Sequence, residues 1–406
     1  MISFLSTLKV KVKLKIKFYL YFFVKIFMRI YVFFPKRLVH LISKIVGEKK
    51  EIVNIEIAKM LFFEDVKKGN ISINYSKFKE RELHRFNKDN LIIGPWHSEI
   101  GYELLYWIPY ISKRISNIFK KYKRIIVISR GGVKCWYDWI DGAEYYNIED
   151  VEPDLLKKIF KDRKDGEFKK KMSFGKYERK IIKSVCKKVT LNIDDCDIID
   201  PSFMYLSIWS YLSKEKGIKS LIGILQKNFK FNKKSSKEIE LNNLKPYIAI
   251  KIYSNSCFQI KDVTNFYEKK ILKILEAISL LNVNLIVLDF DAKDDHTQFD
   301  FKKKIFSNIK LKYFNNLYPN INFNKNVNIQ NDIVKSSLFL LSSYGGFSYL
   351  PQMHNLKSLS ISNEGDHIIN RHSQTSNLIK NYVQNINLNL DNEIINNKIM
   401  NFIKGF

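Results

Sequence analysis

The segment from Trp96 to Tyr110, Trp-His-Ser-Glu-Ile-Gly-Tyr-Glu-Leu-Leu-Tyr-Trp-Ile-Pro-Tyr, holds the groups best suited to proton transfer. Ser98 is placed to cap a helix starting at Glu99, which puts Glu99 and Glu103 one turn apart on one face. Two carboxylates facing one cleft repel, so at least one pKa rises, as a base working near neutrality requires. Glu99, nearest the loop 94–97, is the first candidate base; Glu103 would position the reacting hydroxyl, and His97 is the reserve. Trp96, Tyr102, Tyr106 and Trp107 lie beside these acids, more aromatics than a solvated surface helix usually carries. The alternative is that Glu99 only complements the helix dipole and Glu103 is a solvated surface residue.

Anion-binding chemistry is suggested by two glycine pairs. The apolar run Leu338 to Leu341 passes through Ser343 and Tyr344 to Gly345-Gly346-Phe347, which predicts strand, tight loop and helix start. Glycines there let a ligand approach the backbone, and the N–H groups of the following helix favour an anion such as a pyrophosphate. A plain strand-to-helix turn would use the same residues. Arg124 to Ser129 is a second apolar run and breaks at Arg130-Gly131-Gly132, with Trp136 and Tyr137 just beyond. Arg130 at such a strand end suits a bidentate phosphate or carboxylate contact.

At 406 residues, with 46% apolar and 14% aromatic content, the chain is long and apolar enough for more than one folded core. The net charge of +28 resembles that of a nucleic-acid binder, yet residues 1–50 alone hold 12 Lys/Arg against the single acid Glu48. No helix-turn-helix, RNA-recognition or zinc-knuckle pattern accompanies it, so no nucleic-acid partner is expected. Cys135, Cys186, Cys196 and Cys257 form no C-x-x-C pair, and they read as buried thiols in a reducing compartment. Residues 8–17 alternate Leu/Val/Ile with Lys, and 18–34 are aromatic-rich but carry Lys25 and Arg29. A run of that length and charge predicts a basic amphipathic segment over 1–47, lying on an anionic membrane surface rather than spanning it.

A lysine-, asparagine- and serine-rich stretch over 229–244 marks a boundary, giving an N-terminal α/β domain over 48–242 and a C-terminal one over 243–406. The second follows a strand–helix rhythm: strand 247–253, helix 265–281, strand 283–289, helix 331–336, strand 338–342, strand 358–361 and a closing helix from Ser373. Such alternation implies parallel sheets covered on both faces, with ligands beyond the carboxyl ends of the strands. That edge gathers Tyr253, Ser254 and Asn255, then Asp291, Asp294 and Asp295, then Tyr344, Gly345 and Gly346. Ile193 to Asp197 reads as a surface turn.

Gly94-Pro95-Trp96 with Ser98-Glu99-Ile100-Gly101-Tyr102-Glu103-Leu104-Leu105-Tyr106-Trp107-Ile108-Pro109, then Ser129-Arg130-Gly131-Gly132 with Trp136-Tyr137, then Lys251-Ile252-Tyr253 with Cys257-Phe258, then Tyr344 to Leu350, resemble a family of glycosyltransferases from bacterial surface-polysaccharide (O-antigen and capsule) gene clusters. The likeness covers roughly 90–375. It implies a GT-B-like pair of Rossmann-like domains and a nucleotide-sugar co-substrate, and it brings no established catalytic residues.

On this reading Glu99 or Glu103 is the base, Arg130 and Lys251 flank the donor diphosphate, and Tyr253, Asn255, Ser343, Tyr344, Gly345, Gly346 and Phe347 complete the donor site. Trp96, Tyr102, Tyr106, Trp107, Trp136 and Tyr137 hold a glycan or lipid-linked glycan acceptor, at the cytoplasmic face of the membrane, with no metal and no cofactor beyond the nucleotide-sugar. Two alternatives remain: a metal-dependent GT-A-type transferase using Asp289 and Asp291, and a non-catalytic basic protein that binds membrane or nucleic acid.

Overall fold

The computed structural model describes residues 87–115, 118–155, 176–212, 216–227, 229, 241–253, 265–289, 311–321, 323–363, 367–379 and 383–405. The expected membrane-surface segment 1–47, Ser254, Asn255, Cys257, Asp291, Asp294 and Asp295 lie outside them. Phe86–Phe406 forms one compact unit, which contains two parallel sheets.

The first sheet comprises β1 (Asn90–Trp96), β2 (Arg124–Ser129), β3 (Glu144–Asn147) and β4 (Cys196–Ile199), in the order β3-β2-β1-β4. The second comprises β5 (Tyr247–Lys251), β6 (Asn284–Val287), β7 (Leu311–Tyr313), β8 (Phe339–Ser343), β9 (Lys357–Ser362) and β10 (Val383–Asn387), in the order β10-β9-β8-β5-β6-β7. Every pairing is parallel. From its first strand the second sheet winds outward in both directions, the doubly wound Rossmann order with its switch point between β5 and β8. The first sheet repeats that pattern over four strands, with its switch point between β1 and β4. The two Rossmann-like α/β sheets expected from the sequence are present.

Apolar alternation sorts each strand's side chains between two faces. Leu91 and Ile93 of β1 face the same cluster as Tyr247 and Ala249 of β5 and Leu340 of β8, so the two sheets share a central core. On the opposite face, Ile92 packs with Ile181, Ile182 and Val185 of a helix over Lys176–Lys188, and Ile248 and Ile250 pack with Ile271, Ile274 and Leu275 of a helix over Asn265–Ser279.

The helix after β1, here α1, begins as an α turn at Ile100–Tyr102, widens to a π turn at Glu103–Trp107 and continues as α at Ile108–Ile115. Its N-cap is Glu99, with no side-chain cap, and the Ser98 hydroxyl instead pairs with Tyr205 OH at 3.2 Å. Gly94, before the helix, has φ +110, and a Cβ there would lie 2.2 Å from the Ile128 carbonyl oxygen. Only glycine fits that approach of β1 to β2.

Several segments depart from the reading above. Ile193 to Asp197, read as a surface turn, is a turn only as far as Asp195: Cys196 opens strand β4, whose Asp197 is buried and accepts from Tyr122 OH and the Lys88 N–H, both at 3.1 Å. The short edge strand β7 was not foreseen. The closing helix begins at His367 rather than Ser373, and β10 and a further helix over Asn392–Lys404 follow it.

Candidate functional site

Beyond the carboxyl ends of β1 and β2 lies Glu103, the first residue of the π turn, with no solvent exposure. Its Oε1 accepts from Ser129 Oγ at 2.7 Å and from Tyr137 OH at 2.6 Å. Its Oε2 stands 4.0 Å from Arg130 Nε. Glu149 holds the glycine-pair loop by accepting from the Gly131 N–H at 2.6 Å, and Tyr145 OH donates to the Arg130 carbonyl at 2.6 Å. Glu103 Oε2, Arg130 Nε and Glu149 Oε1 have no hydrogen-bond partner among the described residues, an unusual concentration of unmet polar atoms. Burial raises the Glu103 pKa to about 7, opposed by Arg130, Tyr137 and Ser129. Burial likewise raises that of Glu149. A carboxylate held near neutrality is suited to taking a proton at physiological pH.

At the switch point of the same sheet, His97 Nε2 lies 2.8 Å from Glu178 Oε1 with both residues buried. Asp200, after β4, is raised by burial and accepts from the Ser202 N–H at 2.8 Å and from its hydroxyl. A small cleft lies among His97, Glu178, Asp200 and Tyr205.

The second sheet presents different chemistry at its switch point. Lys251, the last residue of β5, is buried and donates to Leu288 O at 3.1 Å and Gln330 Oε1 at 3.0 Å. Its ammonium sits 4.7 Å from the Phe347 ring centroid. On neighbouring β8, Ser343 Oγ accepts from the Tyr253 N–H at 2.6 Å, while the buried Ser342 Oγ has no partner among the described residues. The helix expected after Gly346 is short: a 3-10 turn at Gly346–Tyr349 followed by one α turn, Leu350–Met353. Ser348 Oγ donates back to the Gly345 carbonyl at 2.6 Å, closing that turn. A Cβ on Gly346 would lie 2.7 Å from Gly101 N, so the bare face of this glycine is filled by α1 of the first sheet rather than left open.

The two sites therefore meet through Gly101 and Gly346. Around that contact Tyr349 OH donates to Tyr344 OH at 2.9 Å, and Tyr106 OH bonds His372 Nδ1 at 2.8 Å and Thr375 Oγ1 at 3.1 Å.

Several expected roles change with this geometry. Glu99 is exposed while Glu103 is fully buried, so the two do not share a face, and burial rather than mutual repulsion raises Glu103. Arg130, expected to flank the donor diphosphate, stands with its Nε 4.0 Å from Glu103 Oε2. Trp96 and Trp107 stack at 5.6 Å with neither exposed, and Tyr102 and Tyr106 pack against His372, so these four are core rather than an open platform. Trp136 is also buried, donating from Nε1 to Asn331 Oδ1 at 3.2 Å. Asp289 is engaged by Asn315, whose backbone N–H donates to Oδ1 at 2.9 Å. Among the described residues no group of three His, Cys, Asp or Glu could hold a metal ion. Glu149, Glu178 and Asp200 were not foreseen, and Ser129 entered only as the first residue of the Ser129-Arg130-Gly131-Gly132 motif.

Of the aromatic candidates, Tyr137 lines an open cavity of about 550 Å³ between β2, β3, the loop after β2 and the helix α2 over Phe323–Ser336.

No family model matches the chain, and no curated protein matches it. Among solved structures it is similar to the E. coli ADP-heptose LPS heptosyltransferase II, at 12% identity and TM-score 0.40 over 77% of this chain and 97% of that one. It is similar to the E. coli heptosyltransferase WaaC with ADP, at 11% identity and TM-score 0.42 over 78% and 99%. A glycosyl transferase family 9 protein from Veillonella parvula gives 6% identity and TM-score 0.44 over 78% and 96%.

Proposed function

We propose that this chain is a glycosyltransferase of GT-B type, which moves a hexosyl or related sugar from a nucleotide-sugar to a hydroxyl of a glycan acceptor. The observation that carries the reading is the Gly101–Gly346 contact, which packs the helix bearing Glu103 in one Rossmann-like unit against the turn that follows β8 in the other.

The donor diphosphate sits outside β5 and β8, where Lys251 supplies positive charge, Ser342 a hydroxyl and the turn after Gly345 its N–H groups. These meet the charge that builds on the departing diphosphate, with no metal required of the protein. Glu103 is the base. Because Glu103 is wholly buried, the proton reaches it through Tyr137: the acceptor hydroxyl gives its proton to the Tyr137 oxygen as Tyr137 gives its own to Glu103. The freed acceptor oxygen then bonds the anomeric carbon while the bond to diphosphate breaks, the electron pair leaving with the diphosphate. Ser129 and Arg130 hold the carboxylate in place.

Residues 1–47 hold the enzyme on an anionic, cytoplasmic membrane face close to a lipid-linked acceptor, as their lysine pattern favours. Among the described residues no helix is long and apolar enough to cross a membrane. Deleting 1–47 should release the protein from membranes; retention on them at high salt would refute this part.

A thermal-shift panel of UDP-, GDP-, ADP-, CMP- and dTDP-sugars tests the transferase reading. A donor at a hundred times its Kd should stabilise the protein by about 2.7 kcal/mol. No stabilisation by any member would count against it.

A further inference from the structure

We propose that the 550 Å³ cavity binds the acceptor sugar and selects one bearing no anionic group, taking a neutral or amino-bearing sugar and rejecting a uronic or phosphorylated one. The word acceptor rests on the transferase reading; the charge selection rests on the cavity alone.

The volume falls within the range of small-molecule sites and leaves room for one or two sugar rings. Its lining carries three carboxylates, Asp138, Asp141 and Asp332, against one ammonium, Lys134. That balance runs opposite to the chain, whose net charge is +28. The carboxylates come from separate elements: Asp138 and Asp141 from the loop after β2, Asp332 from α2 beneath the second sheet. The walls are held together by Trp136 Nε1 donating to Asn331 Oδ1 at 3.2 Å and by the Cys135 N–H donating to Asn328 Oδ1 at 3.4 Å.

Physical chemistry then fixes the ligand class. Carboxylates accept from sugar hydroxyls and attract an ammonium, and they repel a second anion in a partly enclosed site where water screens poorly. The Cys135 thiol, which lines the cavity, is pushed well up, first by burial and then by Asp332 and Asp138, with Lys335 opposing. Tyr137 and Tyr145, ring centroids 6.0 Å apart, give an aromatic wall for the apolar face of a pyranose. The same Tyr137 carries the hydrogen bond to Glu103, so a sugar seated here is next to the proton path. The donor diphosphate, by contrast, has no place in this cavity.

The test is equilibrium binding of three methyl glycosides to the full-length protein by saturation-transfer NMR titration: the glucosaminide, the glucoside and the glucuronide, at low and high salt. The expected order is glucosaminide at least as tight as glucoside, with glucuronide at least tenfold weaker and the gap narrowing at high salt. D138N/D332N should bring the glucuronide to within about threefold of the glucoside. Because that double variant alters two half-buried groups, D141K at an exposed position is the second variant, and it should narrow the same gap while the protein keeps its melting temperature. Glucuronide binding as tight as glucosaminide, no binding of any of the three, or an unchanged gap in D141K would each overturn the proposal. Nucleotide-sugar stabilisation measured alongside separates the two claims. Stabilisation with no charge selection sinks this inference alone, and charge selection without stabilisation by any nucleotide-sugar sinks the transferase reading alone.

Discussion

The two sheets wind in the same way from their first strands, yet their carboxyl ends carry opposite chemistry. Around the ends of β1, β2 and β4 lie Glu103, Glu149, Glu178 and Asp200, with burial raising Glu103, Glu149 and Asp200. Around the ends of β5 and β8 lie a buried lysine, two serines and a glycine turn, and Asp289, the one acid there among the described residues, is bound by Asn315. A parallel sheet supplies a crevice beyond its strand ends whatever the side chains. What the difference teaches is that the roles are set by charge: the acidic crevice suits removing a proton, and the basic one suits holding a diphosphate.

The comparison breaks most visibly at Glu103. E103Q keeps the shape and the hydrogen bonds from Ser129 and Tyr137 but cannot take a proton, so turnover should fall about 10²- to 10⁴-fold with nucleotide binding intact. Y137F, which cuts the path to Glu103, should lose at least tenfold in kcat; activity within twofold of wild type would show that the acceptor reaches the carboxylate by another route. On the basic side, K251M removes a charged donor and should weaken nucleotide affinity about 10- to 100-fold, measured by calorimetry. An unchanged Kd in a folded K251M would take the diphosphate away from β5.

Where the sheets touch, the expected effect is on stability. G346A forces a Cβ to within 2.7 Å of Gly101 N and should cost about 1–3 kcal/mol in denaturant unfolding, whereas G217A, with nothing within 4 Å, should stay within about 0.5 kcal/mol. Equal midpoints for the two would show that the contact yields freely. The smallest effect belongs to E99Q, which should leave turnover within twofold, since Glu99 is exposed and Glu103 carries the proton.

The strands that make the sheets were legible where an apolar run breaks at a glycine: Arg124–Ser129 was read residue for residue, and Phe339–Ser343 within one residue at each end. Strand β4 was not, because Asp194, Asp195 and Asp197 give it the composition of a turn, and only the fold shows Asp197 buried under Tyr122. The thin edge strands β7 and β10 lack the apolar density that marks a strand. In the site, the segment holding Glu103 was visible from its acids and aromatics, but which acid turns inward was not. The π turn that begins at Glu103 shifts the register of the face beyond it, and helical spacing alone cannot anticipate it. Gly346 was read as room for a ligand, and it is room for Gly101. Partners such as Glu149 and Glu178 lie far along the chain, and nothing local announces them.

Glu103 also links pH to stability. Its folded pKa of about 7 exceeds the ordinary 4.5, so the folded state holds this proton more tightly. That contribution is complete below about pH 4.5 and is lost as pH rises through about 7, roughly 3 kcal/mol in all. E103Q should flatten this slope.

The most direct test of the central claim is the pH dependence of kcat/KM, for wild type and E103Q, with a donor from the thermal-shift panel and a sugar acceptor. The account predicts a wild-type rate that climbs tenfold per pH unit below an apparent pKa of about 7 and levels off above it, and an E103Q rate that is low and has lost that limb. The same limb at the same pKa in E103Q would contradict the assignment of Glu103 as the base.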